Sequence, residues 1–168
     1  MKHKYEEQWE RVQRWYQRFK DINDGKPHIR NTEYEVDDVY AFFIDCYHLK
    51  DWIKHDNTLK IKNKGKCVEK YVHNTKDCLN DCGLICNSLK HLNPGKPEFI
   101  GKKYDVTISE FIGGDTKEMY EQNPTIIKMK FNIDTSDGVK DAFDFATECM
   151  ESWKRFITEV IKEPTFKK

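Results

Sequence analysis

Three side chains that can move a proton or steady a phosphate, Asn87, Lys90 and His91, sit in the run Cys86-Asn87-Ser88-Leu89-Lys90-His91. Asn87 and His91 are four positions apart and share a face if the run is helical, so an imidazole acting as general acid or base would have an amide beside it. Lys90 precedes His91 by one position and projects about 100° away around the helix. Asn and Ser are poor helix-interior residues, and their concentration with a His in the last two turns marks this end as a candidate site. The competing reading is that Lys90 and His91 only compensate the helix dipole before the break at Asn93-Pro94-Gly95.

A second pair, His48 and Asp51, lies one turn apart, where a carboxylate can orient an imidazole for proton transfer. The plainer alternative is a surface ion pair, or a partly buried His next to Trp52. The thiols of Cys78, Cys82 and Cys86 recur at i, i+4, i+8 along one stripe. Neighbours in that series can share a zinc, but the first and third are roughly 12 Å apart along the axis, so a metal centre would need His91, Cys46 or His48 from elsewhere. No paired CxxC motif is present, and the three thiols equally complete an apolar stripe with Leu79, Ile85 and Leu89. The expectation is therefore no metal and no cofactor.

Positioning these residues falls to a series of helices. Tyr5, Trp9, Val12, Tyr16, Phe19 and Ile22 recur at threes and fours and predict an amphipathic helix over 4–22, stopped by Gly25-Lys26-Pro27. Thr32-Glu33-Tyr34-Glu35 has the form of a capping box and opens a helix over 33–54. That helix is apolar around much of its circumference, as a central helix contacted on several sides would be. Residues 55–73 read as a connection with at most one short helix near Cys67 to Val72. A third main helix spans 75–91, where Gly83 permits close approach of a neighbour. If it packs antiparallel to the second, His91 lies nearer Tyr34 to Tyr40 than His48.

Beyond Pro97 the period changes. Tyr104, Val106 and Ile108, then Ile127, Met129, Phe131 and Ile133, alternate with polar residues and predict an antiparallel strand pair over 103–111 and 125–134. Ser136 or Asp137 then caps a long helix over 137–162, whose broad apolar face runs from Val139 through Ala146, Cys149, Trp153 and Phe156 to Ile161, ending before Pro164. The fold class is mainly α: a four-helix-type bundle with a small antiparallel β-ribbon inserted before the long C-terminal helix, in a single domain, 1–168.

Length and charge agree with that reading. A chain of 168 residues can bury a core without covalent staples. Its 29 basic and 29 acidic residues cancel, so nucleic-acid binding would rest on a local patch and not on overall charge. The first residues lack the apolar core of a signal peptide, and no stretch is long and apolar enough to span a membrane; the reading is cytoplasmic, with reduced cysteines.

The segment Cys86 to His91 resembles the late-helix motif of the HEPN superfamily, the higher eukaryotes and prokaryotes nucleotide-binding domains. There an Arg is followed by a polar residue, often Asn, then by three variable residues and a His. The resemblance implies a helical bundle, commonly a homodimer with two motifs meeting in one cleft, and in many members a metal-independent ribonuclease of toxin-antitoxin, phage-defence or RNA-processing systems. By position Asn87 matches the polar site and His91 the catalytic His, with Lys90 as a nearby cation.

Cys86 stands where the Arg is expected, and a neutral thiol offers phosphate neither charge nor a bidentate fork. What the resemblance implies is thus binding of RNA or a nucleotide, with cleavage lacking its phosphate-holding group. The pairing of the Tyr47 to Trp52 helix with this later one is also similar to uncharacterised bacterial or mobile-element proteins. Two other functions fit the residues: a non-enzymatic homodimeric partner or regulatory protein of a defence or mobile-element system, and a small metal-binding protein using Cys78, Cys82 and Cys86.

Overall fold

Tyr5, Val12, Phe19 and Ile22 form one buried stripe along the first helix, as their spacing predicts. In the computed structural model, which describes residues 3–27, 32–74, 78–90, 106–112, 126–135 and 137–162, this helix is α1, Lys4–Asp24. Gly25 takes a φ of 114°, which lets the chain leave the helix and run straight into the two-residue strand β1, Lys26–Pro27. The second helix, α2, spans Thr32–His55. A short α3, Lys64–Val72, lies in the connection, and α4 runs Cys78–Lys90. Strands β2, Val106–Ile112, and β3, Ile126–Thr135, are followed by β4, Gly138–Asp141. The chain's last described helix is α5, Ala142–Phe156, running on as a π-helical segment Ile157–Lys162.

The fold is mainly helical, with a small antiparallel sheet before the final helix. Five helices are described where four main ones are expected, the fifth being the short α3. The central role of α2 follows from its composition. It packs against α1, α3, α4 and α5, burying Val39, Phe42, Phe43, Cys46, Leu49 and Ile53. Around Phe19 the rings of Phe42, Phe43, Phe131 and Phe143 stand at tilted or edge-on angles with centroids 5.4 to 6.2 Å away, joining α1, α2, β3 and α5 in one aromatic core.

In the sheet β3 is the shared strand. It pairs antiparallel with β2, Val106 opposite Phe131 and Ile112 opposite Ile126, with one irregularity between Ile108 and Glu110. Its first residues also pair with Lys26 and Pro27. Met129, Phe131 and Ile133 point into the core, which is the alternation their spacing predicts. The expected strand residues 103–105 and 125 lie outside the described residues.

One boundary is corrected. The last helix starts at Ala142 and not at 137, because Gly138, at φ 108°, turns the chain back so that Gly138–Asp141 pairs with Asn132 to Thr135. Asp141, not Ser136 or Asp137, caps the helix, accepting from the amides of Phe143 at 2.8 Å and Asp144 at 3.1 Å. Val139, which the helical pattern assigns to the apolar face, is consequently 67% exposed on a strand.

Gly83 does bring two helices close. A Cβ at this position would lie 2.5 Å from Cε2 of Tyr47. Gly83→Ala is expected to cost about 1 kcal/mol net in urea denaturation, since overpacking outweighs the gain in helix propensity. In a Tyr47→Ala background the same change should turn stabilising; a loss of equal size there would show that the ring is not what Gly83 makes room for.

Candidate functional site

Asn87 is exposed on α4, and Lys90 is the helix's last residue. His91 lies outside the described residues, as does the crossing that would place it near Tyr34 to Tyr40. Cys86 is fully buried, so position 86 faces the core and not a phosphate in solvent. His48 is half-buried with its ring 6.2 Å from that of Tyr47. The Asp51 carboxylate is taken by Lys50 at 2.8 Å, and among the described residues no hydrogen bond joins His48 to Asp51. Asp51 instead contributes to a cavity of about 340 Å³ shared with Lys4, Trp52, His55 and Asp56.

The structure separates the cysteine stripe of α4. Cys82 turns toward Cys46 of α2 and Cys149 of α5, and the three sulfurs lie within 4.8 Å of one another with every residue buried. Cys46 is one of the residues from which a metal centre would have to borrow, whereas Cys149 reads in the sequence only as part of an apolar face. Cys78 stays half-buried, its carbonyl 3.8 Å from the Cys149 sulfur, and Cys86 is buried apart from the trio. All six thiols are free of disulfides.

Burial works against ionisation throughout the cluster. At Cys46 burial pushes the thiol up, and hydrogen bonds, led by those from the thiols of Cys149 and Cys82, bring its pKa down. Burial raises the pKa of Cys82 and Cys149.

A second concentration of chemistry lies on the outer face of α1, where Arg11, Arg14 and Arg18 recur at i, i+3, i+7 and so line one side of the helix. Together with Trp15, Gln17 and Asp45 they surround a cavity of about 480 Å³. The Arg18 guanidinium lies 4.7 Å above the Trp15 ring, and Arg11 lies 5.6 Å from that of Trp52. Arg18 sits 3.7 Å from Asp38, and Arg11 sits 3.8 Å from Glu7 and donates to the side-chain Oε1 of Gln8 at 2.6 Å. Arg14 is exposed and makes no ion pair or hydrogen bond among the described residues. Gln8, buried beneath, donates to the backbone oxygen of Asp45 at 3.0 Å and to its carboxylate at 2.9 Å, which fixes α1 on α2 under the groove.

Apolar periodicity along α1 singles out its buried stripe and leaves Arg11, Arg14 and Arg18 unmarked among the charged positions between. The signal was present in their spacing and in the intervening Trp15.

Comparison of the chain with protein families, with curated proteins and with solved structures finds no match in any of the three. No helix among the described residues is long and apolar enough to cross a membrane.

Proposed function

We propose that this protein binds RNA or a nucleotide, as the resemblance to HEPN domains implies, and that the arginine groove of α1 is where it does so. The observation that carries this reading is the set of three guanidinium groups and one indole around a cavity of about 480 Å³. A guanidinium matches phosphate through a bidentate fork, and an indole already stacked with a guanidinium offers a plane for a base. The Arg11–Glu7 pair is solvent-facing and worth little, so phosphate can displace it, and the Arg18 guanidinium is itself exposed although its partner Asp38 is buried. A chain of zero net charge needs such a local patch if it is to bind a polyanion. Cleavage is a separate matter: His91 remains the candidate catalytic base, and the buried Cys86 leaves it without the family's cation.

The homodimeric or regulatory partner reading would draw support from a continuous apolar face. Among the described residues the large apolar side chains left exposed are Tyr34, Leu84 and Val139, on three different elements.

The test is fluorescence anisotropy with a labelled single-stranded RNA, with AMP and inorganic phosphate as competitors. Arg14→Ala and Arg18→Ala are each expected to weaken binding about tenfold, the size of one charge-assisted hydrogen bond, and Arg14→Lys to weaken it less. With three contacts on a single strand, log affinity should fall with log salt at a slope of about −2. Unchanged affinity in both alanine variants would remove the groove from the proposal. Equal RNA cleavage by wild type and His91→Ala under chelation would remove the catalytic reading.

A further inference from the structure

Three helices distant in sequence each place a cysteine at one point of the core: Cys46 from α2, Cys82 from α4 and Cys149 from α5. Each is 0% exposed. Core packing alone asks at such a point for volume, which alanine or valine supplies, and gives no reason for three sulfurs to face one another. Sulfurs bound to one ion at about 2.3 Å are themselves separated by roughly 3.8 to 4.0 Å. The observed cluster, with all three within 4.8 Å, is close to that arrangement before anything binds.

Supporting contacts hold it there. Trp153, one turn beyond Cys149, donates its indole N–H to the Cys46 carbonyl at 3.0 Å and pins α5 to α2. The Cys82 thiol rests 3.4 Å from the Phe43 carbonyl, which ties α4 to the same place. The half-buried Cys78, against Cys149, links the cluster toward the surface.

From this convergence we infer that Cys46, Cys82 and Cys149 form a binding site for one soft, thiophilic ion content with three sulfur ligands, copper(I) or trivalent arsenic. Zinc is a poorer fit, because structural zinc takes four ligands and the cluster brings three together. Hard cations such as Mg²⁺ prefer oxygen. The chemistry is ligand exchange without oxidation or reduction. Arsenous acid reacts with three thiols to form three As–S bonds and release three waters, leaving no net charge in the core. Copper(I) displaces thiol protons to solvent and leaves a net negative centre, which burial disfavours. The site stands independently of the arginine groove and of any nucleic-acid binding.

The experiment is titration of the reduced, full-length protein with arsenite and, separately, with copper(I) buffered by a competing chelator, followed by native mass spectrometry. One equivalent of at least one ion is expected per chain. It should be lost in Cys46→Ala, Cys82→Ala and Cys149→Ala, and kept in Cys67→Ala. Should an alanine variant fail to fold, X-ray absorption of the loaded wild-type protein decides, with three sulfur neighbours and no lighter ligand expected around the ion. No binding of either ion, binding that survives loss of Cys82 in a folded variant, or a shell of two sulfurs or fewer would each overturn the inference.

Discussion

Trp153→Ala is expected to lower the unfolding free energy by about 4 kcal/mol, the largest loss available from a single core side chain here. Trp153 is fully buried, and its ring meets Phe156 edge-on at a centroid distance of 5.9 Å. Its N–H also donates to the Cys46 carbonyl. These contributions separate in Trp153→Phe, which keeps an aromatic body but removes the donor and part of the volume. A loss of about 1.5 to 2 kcal/mol is expected there, because a carbonyl already inside α2 gives up only one of its two acceptor interactions. Urea denaturation followed by circular dichroism measures both, with an unchanged m-value marking a change in stability alone. A cost below 1 kcal/mol for the alanine variant would mean that the contact between α2 and α5 is not a packed core.

How far such contacts were legible in the sequence depends on whether they lie within one helix or between several. The stripe of Tyr5, Val12, Phe19 and Ile22 is local, and periodicity finds it. The same holds for Leu79, Cys82, Ile85 and Cys86 on α4, all buried. Gln8 escapes that logic because its burial is offset by hydrogen bonds to Asp45, a partner in another helix. The start of α5 differs from the expected one for a related reason: Val139 fits the helical period, but pairing of Gly138–Asp141 with β3 overrides a local preference.

The sites follow the same division. A stripe of thiols on α4 suggested Cys78, Cys82 and Cys86 as a group, yet the sulfurs that meet belong to three different helices. No spacing rule reaches across such separations. The arginines of α1 were legible at i, i+3, i+7, and only their grouping around Trp15, above Asp45, needed three dimensions. Asn87 and Lys90 stand on α4 as expected, the first exposed, so the motif's placement late in a helix rests on the sequence pattern and the extent of that helix.

Asp56 ties the start of α1 to the end of α2, and its replacement should produce the second large loss, one that depends on pH. The residue is 1% exposed, and its carboxylate accepts from the Tyr5 amide at 2.9 Å, the Thr58 amide at 2.9 Å and the Thr58 hydroxyl at 2.6 Å. Asp56→Ala removes all three hydrogen bonds at once and leaves the Tyr5 amide buried, for an expected cost of about 2 to 3 kcal/mol near neutral pH. Burial alone would raise the pKa of this carboxyl, but the hydrogen bonds from Thr58 and Tyr5 outweigh it and the net shift is downward. The carboxylate form is therefore favoured by folding. Its contribution is present in full above the ordinary Asp range near 3.9, and is lost as pH falls through the lower folded-state value. Stability measured by urea denaturation from pH 7 downward should then fall less steeply in Asp56→Asn than in wild type once the pH drops below about 4. Parallel curves for the two proteins across that acid range would assign the acid sensitivity to other carboxylates.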